Sequence, residues 1–271
     1  MNFKIFQICF EQSQIRRVDE LLTPFDNTEN LQPELREYPN LIRIYEDYNE
    51  HLDAWGVFGP RWQEKIKYSS KDIFEDVAEN QDCDVFLFNH ARVVDALTYN
   101  VWEQGEFYHK GITQVTRQAL KQAGYDPGVT EMLMNDQVTC YCSYFVAKKE
   151  FWKDYLEFLA KIKEQLENLP EEESKIYNSS ANYSRDGSLN LFPFIVERLF
   201  STYLLINNGK YKIYSKAYDY TVYSNQIKDF SDVLTTINNM KSRISTKEQY
   251  EDWNRIRMYF IRKDQQLFNL D

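Results

Sequence analysis

The sequence is short of several things, and each shortage excludes something. It has no apolar run of ~18 residues, the length a membrane-spanning helix needs. Its first residues, Met1-Asn2-Phe3-Lys4-Ile5-Phe6-Gln7-Ile8, lack the long apolar core of a signal peptide. A cytoplasmic protein is therefore expected. Basic charge is in deficit: 32 Lys and Arg face 42 Asp and Glu, leaving a net charge of -10. That argues against nucleic acid as the main partner, because binding a phosphate backbone needs a basic face. A small basic pocket for a diphosphate is still compatible with it. Cysteine numbers only 4, at Cys9, Cys83, Cys140 and Cys142, with no CxxC pair and no His at ligand spacing. Cys140 and Cys142 would share a face of an extended strand, a weak metal pattern. Buried free thiols in a reducing compartment are the expectation. Neither GxGxxG nor GxxxxGK[ST] occurs, which counts against the common dinucleotide and P-loop sites.

What is present is enough for a large α/β domain, or a domain with an appendage, in 271 residues. Hydrophobic residues make up 43%, sufficient for a sizeable core. Aromatics reach 16%, with 20 Tyr and 18 Phe. Two accounts fit that excess: stacking surfaces for rings or sugars, or a biased base composition.

Phe3 to Phe10 reads as a buried strand, and Thr23 to Thr28 as a loop of turn formers. Leu41, Ile44, Tyr45, Tyr48 and Leu52 recur at helical spacing within Leu35 to Leu52. Asp53 to Phe58 reads as a second strand stopped by Gly59-Pro60. Ser69 to Asp72 has the form of a capping box opening a helix to Ala78. Asp84 to Asn89 reads as a third strand, and Gly111 to Ala123 as a helix ended by Gly124. Tyr141 to Ala147 reads as a fourth strand running into a helix from Lys149 to Leu169. Asn178 to Asn190 is a polar loop of a length suited to closing over a substrate. Pro193 to Asn207 reads as an apolar helix, Tyr211 to Tyr223 as final strands, and Thr246 to Arg262 as a C-terminal helix. This alternation predicts an α/β fold with a mainly parallel sheet.

In open α/β sheets, ligands lie beyond the carboxyl ends of the strands. After the second strand, Arg61 can reach a diphosphate through its fork of donors, and Trp62 can stack on a base. A solvated Arg beside a core Trp reads equally well. After the third strand come Asn89 and His90, the latter a base, a ligand or simply a hydrogen-bonded group. Asp82-Cys83-Asp84 has the D-x-D form of a metal–diphosphate site, yet it precedes a strand where a metal pair should follow one. A capping turn is the competing reading.

Tyr99 to His109 gathers Trp102, Glu103, Glu106 and His109 around Gly105. Aromatic faces beside carboxylates suit the C–H faces and hydroxyl edges of sugars. A carboxylate or His there can serve as general base. An ordinary loop with core aromatics is the alternative. Finally, Glu197-Arg198 interrupts a helix otherwise carrying Phe194, Ile195, Leu199, Phe200, Leu204 and Leu205. Such a carboxylate either pairs with a cation or points into a cleft.

Four segments, Gly56 to Trp62, Trp102 to His109, Tyr141 to Glu150 and Phe192 to Leu199, make the sequence resemble the glycosyltransferase-like proteins of bacterial capsule and lipopolysaccharide loci. The chain departs from that pattern at Gly59-Pro60, where the family has His and an aromatic, and at Ser143, where it often has Asn. The resemblance implies a Rossmann-like, GT-A-like fold, with a mainly parallel mixed sheet flanked by helices and a helical C-terminal extension. Residues 1–225 would form the transferase domain, and 226–271 the extension, packed on it or on a partner.

The implied reaction moves a sugar from a nucleotide-sugar donor, a UDP-sugar first among them, to a glycan or lipid-linked glycan acceptor. Glu106, Glu197 and His109 would be catalytic. Arg61, Trp62, Asn89, Trp102, Glu103, Tyr144 and Arg198 would contact substrate. Mg²⁺ or Mn²⁺ would be the metal, with Asp82 and Asp84 as its weak candidates. A homo-oligomer and peripheral contact with the inner face of the membrane are further expectations: the stretch from Lys241 carries basic residues such as Lys241, Arg243 and Arg255, although Glu248, Glu251, Asp252 and Asp264 are interspersed. A helix packed on its own domain or on a second subunit is the competing reading. The rival readings are a non-catalytic glycan-binding or scaffold module on the same fold, and another nucleotide-dependent α/β enzyme.

Overall fold

The structure, a computed structural model, describes residues 1–89, 92–179, 189–216 and 230–263. Six strands form one sheet: β1 (Phe3–Cys9), β2 (Thr23–Asp26), β3 (Ala54–Phe58), β4 (Val85–Leu87), β5 (Phe145–Lys148) and β6 (Ile213–Ser215). Their order is β2-β1-β3-β5-β4-β6. β1 runs parallel to β2 and β3, β4 runs parallel to β6, and β5 is antiparallel to both its neighbours.

The helices that cover this sheet and shape the site are α1 (Tyr38–Tyr48), α2 (Ser70–Glu79), α3 (Arg92–Leu97), α4 (Val101–Tyr108), α5 (Ile112–Gln122), α6 (Lys149–Glu167) and α7 (Phe192–Ile206). Two more, α8 (Ser231–Ser242) and α9 (Lys247–Lys263), follow at the C-terminus. The fold is thus α/β with a mixed sheet flanked by helices and a helical C-terminal extension.

Strands β1 and β3 are apolar on both faces because helices cover both. On one face Trp55 stacks on Trp152 with 5.7 Å between ring centroids, and the Trp152 indole N–H donates to the Trp55 carbonyl at 2.9 Å. On the other, Phe58, Trp62, Phe86 and Phe88 pack with Ile73 and Val77 of α2. Gly56 is required where the strands approach closely: a Cβ there would lie 2.8 Å from the Phe145 carbonyl oxygen. The Ser69 capping box opens α2, with the Ser69 hydroxyl accepting from the Asp72 amide at 3.2 Å.

Three elements differ from the sequence expectations. Thr23 to Asp26 is a strand, with Phe25 paired to Ile8; Pro24 is tolerated because β2 is an edge strand. The strand expected at Tyr141 begins only at Phe145, because Cys142 and Ser143 take left-handed backbone conformations that break it. Cys140 and Cys142 therefore do not share a strand face. Tyr99 to His109, for which a loop is the competing reading of the sequence, is mostly helix, opened by Asn100, whose side chain accepts from the Trp102 and Glu103 amides.

The extension is bound to the rest of the chain. Lys241 of α8 and Asp95 of α3, both with fully buried side chains, pair at 3.0 Å. Leu234, Ile237 and Trp253 pack against Val93, Ala96 and Leu97. Among the described residues no helix is long and apolar enough to cross a membrane. His90, the bulk of the Asn178–Asn190 loop, the end of the Tyr211–Tyr223 expectation and the 225/226 boundary lie outside the described residues.

Candidate functional site

Because β5 runs against its neighbours, its amino end lies beside the carboxyl ends of β3 and β4. Leu87 pairs with Phe145, and the Phe88 amide donates to the Tyr144 carbonyl at 2.9 Å. The turn before β5 therefore sits on the carboxyl edge of the sheet, the edge where α/β proteins place ligands. A narrow cleft of about 70 Å³ opens there. Arg36 and Glu37 reach it from the start of α1, Gly59 and Lys65 from the segment after β3, Cys142, Ser143 and Tyr144 from the turn, and Glu197 from α7.

Helix periodicity aims Glu197. Pro193, Val196 and Glu197 all line the cleft, spaced as residues on one helical face are. Arg198 lies about 100° further round the helix and faces α4. Its Nε donates to the Val101 carbonyl at 2.9 Å, its Nη1 to the Phe194 carbonyl at 2.8 Å, and its Nη2 to Gln104 Oε1. The adjacent acid and base thus serve different surfaces.

Backbone strain marks the same place. Among the described residues, the non-glycine residues with positive φ are Asn30, Arg36, Cys142 and Ser143, at 39°, 52°, 55° and 56°. Arg36, Cys142 and Ser143 line the cleft, and Asn30 joins Arg36 in a larger cavity beside it. Such conformations cost of order 1 kcal/mol each and persist only where the surroundings enforce them. Here Asn89 Oδ1 accepts from the Tyr141 amide at 3.2 Å, and Lys65 Nζ donates to Cys142 Sγ at 3.1 Å.

Burial raises the Glu197 carboxyl above its ordinary range; Arg198 opposes the rise, Glu37 adds to it, and Lys65 and Arg36 oppose it. Burial, reinforced by Glu197, pushes the Cys142 thiol up to about 12, so it is not a thiolate nucleophile at neutral pH. Burial also holds the Tyr144 phenol protonated. A carboxyl with a raised pKa, beside a second carboxylate and two cations, suits proton transfer.

Most of the other candidates are engaged elsewhere in this structure. Glu106 accepts from the Gly111 amide at 2.9 Å and the Thr113 amide at 2.8 Å, capping α5. Glu103 accepts from the Tyr99 amide and pairs with Arg257 of α9 at 2.8 Å. His109 is buried and stacked on Phe194 at 3.9 Å. Burial, aided by Arg198, lowers its pKa to about 4, so it is neutral at pH 7.

Trp62 and Trp102 are core residues that donate to Gln7 Oε1 and Thr202 Oγ1, each at 3.0 Å, which leaves no face for a base. Arg198 is committed to α4. Asn89 positions the turn before β5, and Arg61 is exposed after β3. Of the predicted set, only Tyr144 and Glu197 line the cleft. Arg36, Glu37 and Lys65 carried no local sequence signal, because nothing in their spacing places three separate segments at one sheet edge.

Asp82 and Asp84 sit at the amino end of β4, away from the cleft. Asp82 pairs with Lys212, and Asp84 pairs with Lys148 at 3.0 Å while accepting from the Lys212 amide at 2.9 Å. Among the described residues no three His, Cys, Asp or Glu side chains converge as a metal site requires. Among the described residues, Asp82 and Asp84 are thus engaged by lysines and do not form a metal pair.

No family model matches the sequence, and no curated protein matches it significantly. Among solved structures, the apo structure of the bifunctional glycosyltransferase WbbM matches 79% of this chain at a TM-score of 0.53 and 17% identity. The chain spans 44% of the length of that neighbour. Likeness at this identity speaks for the fold, and the fold of this chain is glycosyltransferase-like.

Proposed function

We propose that the protein is a glycosyltransferase, moving a sugar from a nucleotide-sugar donor, a UDP-sugar first, to a hydroxyl of a bacterial surface polysaccharide. The observation that carries this reading is Glu197. It is a half-buried carboxyl with a raised pKa, in a cleft at the carboxyl edge of a glycosyltransferase-like sheet that the cations Arg36 and Lys65 also line.

In the proposed step, an acceptor oxygen attacks the anomeric carbon as its proton passes to the Glu197 carboxylate. The bond from that carbon to the diphosphate breaks, and the nucleoside diphosphate leaves with the electron pair. Arg36 and Lys65 supply positive charge where the diphosphate charge develops. The strained turn at Cys142 and Ser143 shapes the wall that orients the donor. The proposed setting is the cytoplasmic face of the membrane, where a lipid-linked acceptor can be reached.

A thermal-shift screen against UDP-, GDP-, CMP- and dTDP-sugars, with and without Mn²⁺, tests donor binding, since a ligand of the folded state raises the midpoint by mass action. One nucleotide class is expected to give a clear shift. Glu197→Gln is expected to keep that shift and lose about 100-fold or more in turnover. No shift with any donor, together with retained glycan binding, would make the chain a non-catalytic module, the reading favoured by Gly59-Pro60 and Ser143.

A further inference from the structure

Arg36 stands between the cleft and a second, open cavity of about 850 Å³, lined by the loop after β2 and the first turns of α1. The mechanism above makes no use of it. Its volume is that of a small-molecule site.

Asn40 lines this cavity, is 1% exposed, and its amide nitrogen has no hydrogen-bond partner among the described residues. A buried donor left unpaired is destabilising, and a small side-chain rotation that offers it to a ligand acceptor in the cavity would recover that loss. The Asn40 oxygen and Asn27 Oδ1 both accept from Arg43, at 3.5 and 3.3 Å, so the polar groups converge.

Charge in the lining is balanced, Asp26 and Glu29 against Arg36 and Arg43. A diphosphate finds no net cation there. The residues that line the cavity include no aromatic, and the nearby Phe25 ring is covered by the Arg43 guanidinium at 4.9 Å. A nucleobase therefore finds no ring to stack on. What remains is amides, carboxylates and guanidiniums, with a small apolar rim at Leu31, 84% exposed, and Pro39. That set matches the hydroxyl edges and C–H faces of a sugar.

We propose that this cavity binds a neutral oligosaccharide, the acceptor glycan, whose terminal hydroxyl passes Arg36 to reach Glu197. The glycan chemistry stands on the cavity itself; its role as acceptor rests on the transferase reading.

The test probes a printed array of neutral and acidic oligosaccharides with the full chain, as wild type, Asn40→Leu and Leu31→Asp. UDP binding is followed by thermal shift in the same three proteins. Leu31→Asp alters an exposed side chain, so it keeps the test meaningful if Asn40→Leu folds poorly. Neutral glycans are expected to bind the wild type, with about tenfold weaker binding or less in both variants, while any response to UDP stays unchanged. The proposal is overturned if no neutral glycan binds, if neither variant weakens binding, or if both variants abolish the UDP response, which would make this the nucleotide site. Glycan binding lost in the variants, with neither donor response nor turnover in the wild type, would sink the transferase reading and leave the glycan site standing.

Discussion

Lys65 Nζ donates to Cys142 Sγ at 3.1 Å, tying the helical turn after β3 to the strained turn before β5. The two segments are far apart in sequence and form facing walls of the cleft. Lys65 also acts on Glu197, favouring its ionised form.

Lys65→Met removes that cation. The Glu197 pKa is expected to rise further, so the rising limb of kcat/KM against pH moves to higher pH, and the donor-induced thermal shift shrinks. Lys65→Arg is expected to restore both in large part. An unmoved limb in Lys65→Met would detach Lys65 from the proton-handling group.

Glu197→Gln is expected to stabilise the fold at alkaline pH. The folded-state pKa of Glu197 is raised, so its favourable contribution is present when it is protonated and is lost as pH rises through the folded value. The amide removes the penalty of a buried carboxylate. Denaturant melts at pH 5 and pH 8 read this: the gain over wild type should be larger at pH 8. A gain independent of pH would contradict the raised pKa.

Glu106→Ala separates scaffold from chemistry. Its carboxylate holds two amides at the start of α5, so its loss is expected to cost about 1–2 kcal/mol of stability. Turnover per folded molecule should stay within about twofold, since Glu106 is not among the residues lining the cleft. A 100-fold loss of turnover would return Glu106 to the catalytic set.

Lys241→Met removes the cation that pairs with the fully buried Asp95 carboxylate at 3.0 Å. The expected cost is about 3–5 kcal/mol, as for other broken buried pairs. For the same reason a chain ending at residue 225 is expected to fail to fold cooperatively, because Val93, Ala96 and Leu97 lose their cover. A sharp, wild-type-like melt of that shortened chain would show an independent domain.

The sequence by itself determined much of the scaffold. Apolar runs at Phe3–Cys9 and Ala54–Phe58 read as strands because burial on both faces demands them. The Ser69 capping box and the turn at Gly124, φ 82°, read correctly because caps are local chemistry. Glu197 was legible as a polar residue on an apolar helix, although its neighbour Arg198 was not legible as the support of α4.

Only the tertiary structure decided the rest. β2 is a strand because an edge place beside β1 accepts Pro24, a fact no local window contains. Glu103, Glu106 and His109 cluster in sequence yet serve as tie, cap and buried ring, since a helix turns each to a different neighbour. Arg36, Glu37, Lys65 and Glu197 meet although they are dispersed along the chain. What unites them is the reversed direction of β5, which brings the turn before it to the carboxyl edge, and strand direction is fixed by the packing of the whole sheet.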